Sequence, residues 1–94
     1  MRLDPKEIET LKSSLKELDR NAKIYLFGSR VDDNKKGGDI DLLVISRKLD
    51  KKSIRPLKHK FYENFGEQKI DIIIDNGELN DPFVKKIYRD AVSL

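Results

Sequence analysis

The sequence predicts a small α/β (α+β) domain in which one mixed sheet is flanked by helices, with elements in the order α-β-β-α-β-α. Three stretches carry apolar residues at helical spacing, and two of these stretches open with an Asp-Pro pair. Three short apolar runs have the length of strands and end at glycine or at polar turn residues. Since 94 residues is the length of one compact domain, we expect residues 1–94 to form a single domain.

The first helix is predicted over residues 5–20. Asp4 is placed to cap its N-terminus, Pro5 stands at its first position, and Glu7 completes a capping-box pattern. The apolar side chains that follow recur every three or four residues: Ile8, Leu11, Leu15 and Leu18. This stripe predicts one buried helix face, with the charged residues mostly on the other side.

The strands are predicted at Lys23–Phe27, at residues 39–46 and at residues 69–75. The first strand is almost wholly apolar, so we expect it to be buried on both faces. About ten residues separate the first two strands, which is too few for a crossover helix. These two strands are therefore expected to be antiparallel neighbours.

The second helix is predicted to begin between residues 53 and 55 and to end at Phe65. Pro56 is tolerated only in the first turn, and Gly66 suits the position just after a helix end. A basic cluster lies at this helix, with His59: Lys51, Lys52, Arg55, Lys58 and Lys60. The cluster would suit nucleic acid or an acidic partner, but a solvated helix face is the favoured interpretation, so a nucleic-acid partner is not expected.

The last helix follows the pair Asp81-Pro82, which repeats the capping signal of the first. Its apolar face is predicted from four residues: Val84, Ile87, Tyr88 and Ala91. The apolar end of the chain at Leu94 suits either the core or a docking edge for a partner or a second copy. The sequence leaves these alternatives open.

Composition excludes several kinds of site. There are no cysteines, so disulfides, thiolate zinc sites and cysteine nucleophiles are ruled out, and the single His59 rules out a His-rich metal site. The formal net charge of +3 is weak support for a polyanionic partner. No apolar run approaches the roughly 18 residues that a membrane span needs, and the first residues lack the apolar stretch of a signal peptide. We therefore expect a cytoplasmic protein with no membrane association.

The first candidate binding motif follows the first strand directly and consists of Gly28, Ser29 and Arg30. Glycine allows a sharp turn and a close approach of a ligand, and free N–H groups at the start of a helical turn bind phosphate. Arg30 would add a charge-assisted contact. The alternative interpretation is a strand-ending glycine with a capping serine.

Two carboxylates, Asp39 and Asp41, open the second strand and point to the same side of it. Their Cα atoms lie about 6.5 Å apart at the rise of an extended strand, so both side chains can converge on a cation. Mg²⁺ prefers such oxygen ligands and shares its coordination shell with substrate phosphates. The alternative is a polar strand start exposed to water.

Asp71 interrupts the isoleucine run of the third strand. A lone carboxylate inside a buried strand is costly unless it is paired or binds a metal. The alternatives are a solvated edge strand or an ion pair with a nearby lysine. Asp75 has the same parity and is the substitute candidate, but we prefer Asp71 because it lies deeper in the strand.

Together these motifs suit nucleotidyl transfer with two metal ions. One Mg²⁺ ion would bridge the triphosphate, and a second would activate the attacking hydroxyl. Asp39, Asp41 and Asp71 would be the metal ligands and catalytic residues, with Asp71 accepting the proton as general base.

At this point the sequence resembles a known family. The pair Gly28-Ser29, nine intervening residues, the pair Asp39 and Asp41, and then Asp71 look like the signature of the DNA polymerase beta-like nucleotidyltransferases. The short length resembles the minimal nucleotidyltransferases (MNT proteins) of archaea and bacteria.

The resemblance covers roughly residues 5–92. It implies the polymerase beta-like fold, Mg²⁺ bound by the residues that match the three aspartates, and a nucleoside triphosphate contacted by those that match the glycine and the serine. Minimal members are commonly paired with a helical HEPN protein in what resembles a toxin–antitoxin system. Some are understood to silence the toxin by adenylylating one of its tyrosines with ATP. Larger relatives carry a second domain for the acceptor, so here we expect a partner to supply that surface.

Two main hypotheses follow for function. The first is an enzyme that transfers AMP from ATP to a hydroxyl, on a tyrosine of a HEPN toxin. The second is a non-catalytic antitoxin that neutralises its partner by occlusion, with nucleotide binding only regulatory. An intact set of three aspartates favours the first, and a nucleic-acid adaptor that uses the basic second helix is the weakest alternative.

Overall fold

The fold is a four-stranded sheet with three helices. The computed structural model describes residues 3–28 and 39–94. The predicted order of elements is confirmed, and a short fourth strand is added after the last helix: α1 Pro5–Leu18, β1 Lys23–Phe27, β2 Ile40–Ile45, α2 Arg55–Phe65, β3 Ile70–Asp75, α3 Pro82–Asp90 and β4 Val92–Ser93. The predicted loop over residues 31–38 lies outside the described residues.

Helix α1 begins as its capping signals predict. The Asp4 side chain accepts from the N–H of Lys6, and the Glu7 side chain accepts from the N–H of Asp4 at 3.0 Å. The helix ends at Leu18, two residues before the predicted end, because Asp19 is extended with φ −155° and ψ 106°. Asp19 there accepts a hydrogen bond from the Ser46 hydroxyl at 2.7 Å, which ties the end of α1 to the end of β2.

The strand order in the sheet is β3-β2-β1-β4. Strands β1 and β2 are antiparallel neighbours, as the short connection between them predicts. Strands β2 and β3 are parallel. This direction follows from the connection through α2. The helix carries the chain back to the end of the sheet where β2 begins, so β3 runs in the same direction as β2.

One face of the sheet packs against α1 and α2 and forms the core. Alternate residues of each strand supply it, including Leu26, Leu42 and Ile70, which meet Leu11 of α1 and Phe61 of α2. All five are buried. This burial is the main source of stability, since each large apolar side chain contributes about 1.5–3 kcal/mol when it leaves water.

The other face of the sheet is covered less completely, by α3. Tyr25 of β1 meets Tyr88 of α3 edge to face, with ring centroids 5.2 Å apart. Tyr25 and Phe27 remain half-buried, so the prediction that β1 is buried on both faces was wrong for this side. The cause is the short length of α3, which leaves part of this face open.

The end of the chain differs from the prediction. Helix α3 ends at Asp90, and Ala91 is extended rather than helical. Val92 and Ser93 pair with the outer edge of β1, and the N–H of Leu94 donates to the carbonyl of Ile24. The pairing satisfies backbone groups of β1 that would otherwise form an open sheet edge, and Leu94 packs against the core.

Helix α2 begins at Arg55 with Pro56 in its first turn, and Gly66 ends it with a φ of 82°, as the sequence predicts. No helix in the described ranges is both long and apolar enough to cross a membrane.

Candidate active site

Three strands bring the predicted site residues to the same end of the sheet. Strand β1 ends there, and β2 and β3 both begin there, because β1 is antiparallel to β2 while β3 is parallel to it. The register pairs Phe27 with Asp41 and Asp41 with Asp71. Gly28, which follows β1, therefore stands against the Asp41 carboxylate, and Asp71 lies one strand further away.

Asp41 and Asp71 are direct partners across the parallel pair β2 and β3. Paired residues on adjacent strands point to the same face, and their backbones lie about 4.8 Å apart. Asp41 is half-buried and Asp71 is exposed. Of the alternatives for Asp71, the solvated edge strand is the one observed, since β3 is an edge strand. The preference for Asp71 over Asp75 is supported by its register with Asp41.

Asp75 lies at the opposite end of β3 from Asp71. Its Oδ2 accepts from the N–H groups of Gly77 and Leu79 at 2.8 and 3.1 Å. These bonds hold the turn after β3, in which Leu79 has a φ of 54°. Asp75 thus has a structural role away from the candidate site.

Asp39 stands just before β2 and has the same parity as Asp41. Its Oδ2 lies 3.7 Å from the Nζ of Lys69, which precedes β3 by one residue. The Asp39 side chain is 50% exposed and that of Lys69 is 68% exposed. Lys69, the lysine nearest to Asp71 in sequence, therefore pairs with Asp39.

The carboxylates interact electrostatically. Burial raises the pKa of the Asp41 carboxyl above its ordinary value, and the negative charges of Asp71 and Asp39 raise this pKa further. The positive charge of Lys69 opposes these effects. The negative charges are close enough to disfavour one another in the absence of a cation.

Gly28 makes room for Asp41. Its φ of 82° lies in the left-handed region that favours glycine. A Cβ built at this position would collide with Oδ2 of Asp41 and stand 3.1 Å from its Cγ. The sequence predicts that Gly28 allows a phosphate to approach the backbone closely. The structure shows that the glycine also leaves space for the Asp41 carboxylate.

Ser29 and Arg30, the other residues predicted to bind the nucleotide, lie outside the described residues. Their part in the site stays a prediction.

The donor set suits Mg²⁺ in its chemistry. Carboxylate oxygens are the ligands that this hard cation prefers, and the mutual repulsion around Asp41 is what a divalent cation would relieve. As the side chains stand, no group of three acidic or histidine residues within the described ranges surrounds a common point closely enough to bind an ion. Asp39, Asp41 and Asp71 would therefore reach a shared ion by rotation of their side chains.

The comparison with protein families decides what kind of domain this is. The family described as "Polymerase beta, Nucleotidyltransferase" matches residues 9–94, which is nearly the whole chain. The chain belongs to this family. It is therefore a nucleotidyltransferase domain, and the polymerase beta-like fold expected from the sequence is confirmed.

Nucleotidyltransferases of this family generally use a nucleoside triphosphate and Mg²⁺. A search of curated proteins found no match to the chain. The family match thus identifies the general reaction as nucleotidyl transfer, and it identifies neither the acceptor nor the nucleotide.

One residue of the site, Lys69, was missed by the sequence reasoning. It stands two residues before Asp71 and so has the same parity as that carboxylate. This parity was a usable signal, but lysine is so common in the chain that no single one stands out from the sequence.

Proposed function

We propose that this domain transfers AMP from ATP to a hydroxyl group on a protein acceptor, and that the acceptor is a tyrosine of a helical HEPN partner. In this proposal the chain is the antitoxin of a toxin–antitoxin pair and silences the toxin by adenylylation. The family match supports the general reaction, and the resemblance to minimal nucleotidyltransferases supports the choice of acceptor.

One observation carries the proposal. Asp41 and Asp71 are register partners on adjacent parallel strands, and Gly28 stands against Asp41 at the end of the neighbouring strand. Nucleotidyl transfer needs carboxylates that hold cations beside the place where a triphosphate is bound. The register of Asp41 with Asp71 and the contact of Gly28 with Asp41 support this arrangement.

Each aspartate has a role in this reaction. Asp39 and Asp41 would hold two Mg²⁺ ions, which when bound would supply charge stabilisation for the triphosphate and for the attacking oxygen. Asp71 would take the proton from the acceptor hydroxyl as general base. The hydroxyl oxygen forms a bond to the α-phosphorus, and the bond from that phosphorus to the oxygen bridging to the β-phosphate breaks. Pyrophosphate then leaves with the bonding electrons.

The exposure of the site supports an acceptor carried by another molecule. Asp71 is exposed, and the side chain of Asp39 is 50% exposed. A hydroxyl on a partner protein could therefore approach the carboxylates without any opening of the described part of the chain.

The proposal is tested by incubating the chain with Mg²⁺, ATP labelled in the α-phosphate and the HEPN protein encoded beside it. We expect the partner to gain the mass of AMP on a tyrosine, as measured by mass spectrometry. Asp41→Asn should reduce this transfer by about 10²-fold or more, since metal ions supply several kcal/mol of transition-state stabilisation. Asp90→Asn removes an exposed carboxylate outside the site and is the control.

The outcomes separate the two main hypotheses. If no nucleotide mass appears under any condition, the enzymatic proposal fails. If Asp41→Asn neutralises the toxin as well as the wild type does while transferring nothing, occlusion is the mechanism.

A further inference from the structure

Lys69 brings a positive charge to the candidate site. Its Nζ lies 3.7 Å from Oδ2 of Asp39, and its charge also acts on Asp41. The N–H of Ile40, between these two aspartates, donates to the Lys69 carbonyl at 2.9 Å. The backbone of Lys69 is thus fixed beside the carboxylates, while its side chain is 68% exposed to solvent.

A cation and the lysine would compete for the same carboxylate. Asp39 pairs with Lys69, and Asp39 is also one of the residues proposed to hold Mg²⁺. A divalent ion placed among the aspartates would be repelled by an ammonium group a few ångströms away. Each positive charge therefore disfavours the presence of the other at Asp39.

We propose that Lys69 is an internal counter-ion that holds the aspartates in the metal-free chain and sets their affinity for the divalent cation. This inference rests on the proposed function of the site. Lys69 is a positioning residue in this role, because it acts on the ligands and does not touch the reacting atoms. Binding of the cation displaces the ammonium group from Asp39.

An ordinary surface ion pair would behave differently. Exposed pairs contribute little to folding stability, so removal of Lys69 should change the unfolding of the chain only slightly. A counter-ion at a cation site should instead change the affinity for divalent ions, even when no nucleotide is present. The two roles therefore differ in a measurement that does not depend on activity.

The experiment compares the affinity of the whole chain for Mg²⁺ and Mn²⁺, without nucleotide and at constant ionic strength, by calorimetric titration. Lys69→Met is expected to bind either ion roughly 3- to 10-fold more tightly than the wild type, with a larger gain at low salt. Lys69→Arg keeps the charge and should restore the wild-type affinity. Lys23→Met is the matched control. Lys23 is an exposed lysine on the same face of the sheet, but it lies at the end of the strands away from the site.

Each outcome has one meaning. If Lys69→Met binds the ions as weakly as Lys23→Met does, or more weakly, the counter-ion role is wrong while the proposed function stands. If the wild type binds neither ion without nucleotide, the counter-ion role fails, while the proposed function is decided separately by the transfer of AMP to the partner protein.

Discussion

At the scale of single residues, the close contact between Gly28 and Asp41 links a backbone requirement to the chemistry of the site. Gly28 adopts a φ of 82°, and the space in which its Cβ would stand is taken by the Asp41 carboxylate. The glycine after β1 therefore leaves free the space that the Asp41 carboxylate on β2 occupies. This dependence leads to a test with a built-in control elsewhere in the chain.

Gly28→Ala is expected to weaken the binding of divalent cations, because the added Cβ displaces the Asp41 carboxylate. It should also lower the free energy of unfolding by about 1–3 kcal/mol through backbone strain. Urea denaturation and calorimetric titration with Mn²⁺ measure the two effects separately.

Gly66→Ala introduces the same backbone strain as Gly28→Ala but no contact between the new Cβ and a carboxylate. Gly66 has the same φ of 82°, but nothing lies within 4 Å of the place where its Cβ would stand. This variant should lose stability and keep its affinity for cations. Equal cation affinities in the two variants would show that the contact with Asp41 has no bearing on the site.

At the scale of elements, the ends of α1 and β2 are joined by a hydrogen bond between side chains. The Ser46 hydroxyl donates to Oδ2 of Asp19 at 2.7 Å and accepts from the N–H groups of Lys48 and Leu49. The hydrogen bond from Ser46, and then the one from the N–H of Asn21, lower the pKa of Asp19 below its ordinary value. Ser46 thereby links the helix end to the turn that leads toward α2.

This link predicts a pH dependence of stability. Because the pKa of Asp19 is lower in the folded chain, its contribution is present above the ordinary aspartate pKa of about 3.9 and is lost as the pH falls through the lowered value. Asp19→Asn and Ser46→Ala should therefore lose less stability than the wild type between about pH 4 and pH 2. Urea denaturation over this range measures the slopes, and parallel curves for all three proteins would exclude the link.

At the scale of the whole molecule, the two faces of the sheet are buried unequally. The face under α1 and α2 holds Phe61 with 0% of its surface exposed, while Phe83 on α3 is 59% exposed. Phe61 also packs against the ring of Phe65, with centroids 4.9 Å apart. Stability should therefore depend far more on Phe61 than on Phe83.

Two matched substitutions test this difference. Phe61→Ala is expected to cost about 3–5 kcal/mol, a large part of the roughly 5–15 kcal/mol that a domain of this size has in total. Phe83→Ala removes the same side chain from an exposed position and should cost about 0.5 kcal/mol or less. The midpoints of urea unfolding measure both, and similar losses would contradict the different burial of these two side chains.

Local patterns accounted for most of the elements. The Asp-Pro pairs at residues 4–5 and 81–82 fix the starts of α1 and α3, because a capping side chain and a proline act only on the first turn beside them. The antiparallel pairing of β1 with β2 followed from the short connection. The fourth strand was not predicted, because two residues that pair with β1 have no periodicity of their own.

The sequence by itself determined the order of the elements, the pair Asp39 and Asp41, and the candidacy of Asp71, since these depend on local spacing and parity. Only the tertiary structure decided that Asp71 lies in register with Asp41, that Lys69 pairs with Asp39, and that Gly28 leaves room for a carboxylate. The physical reason is that strand register is set by packing between segments far apart in the chain, and a slip of one residue would turn Asp71 to the other face.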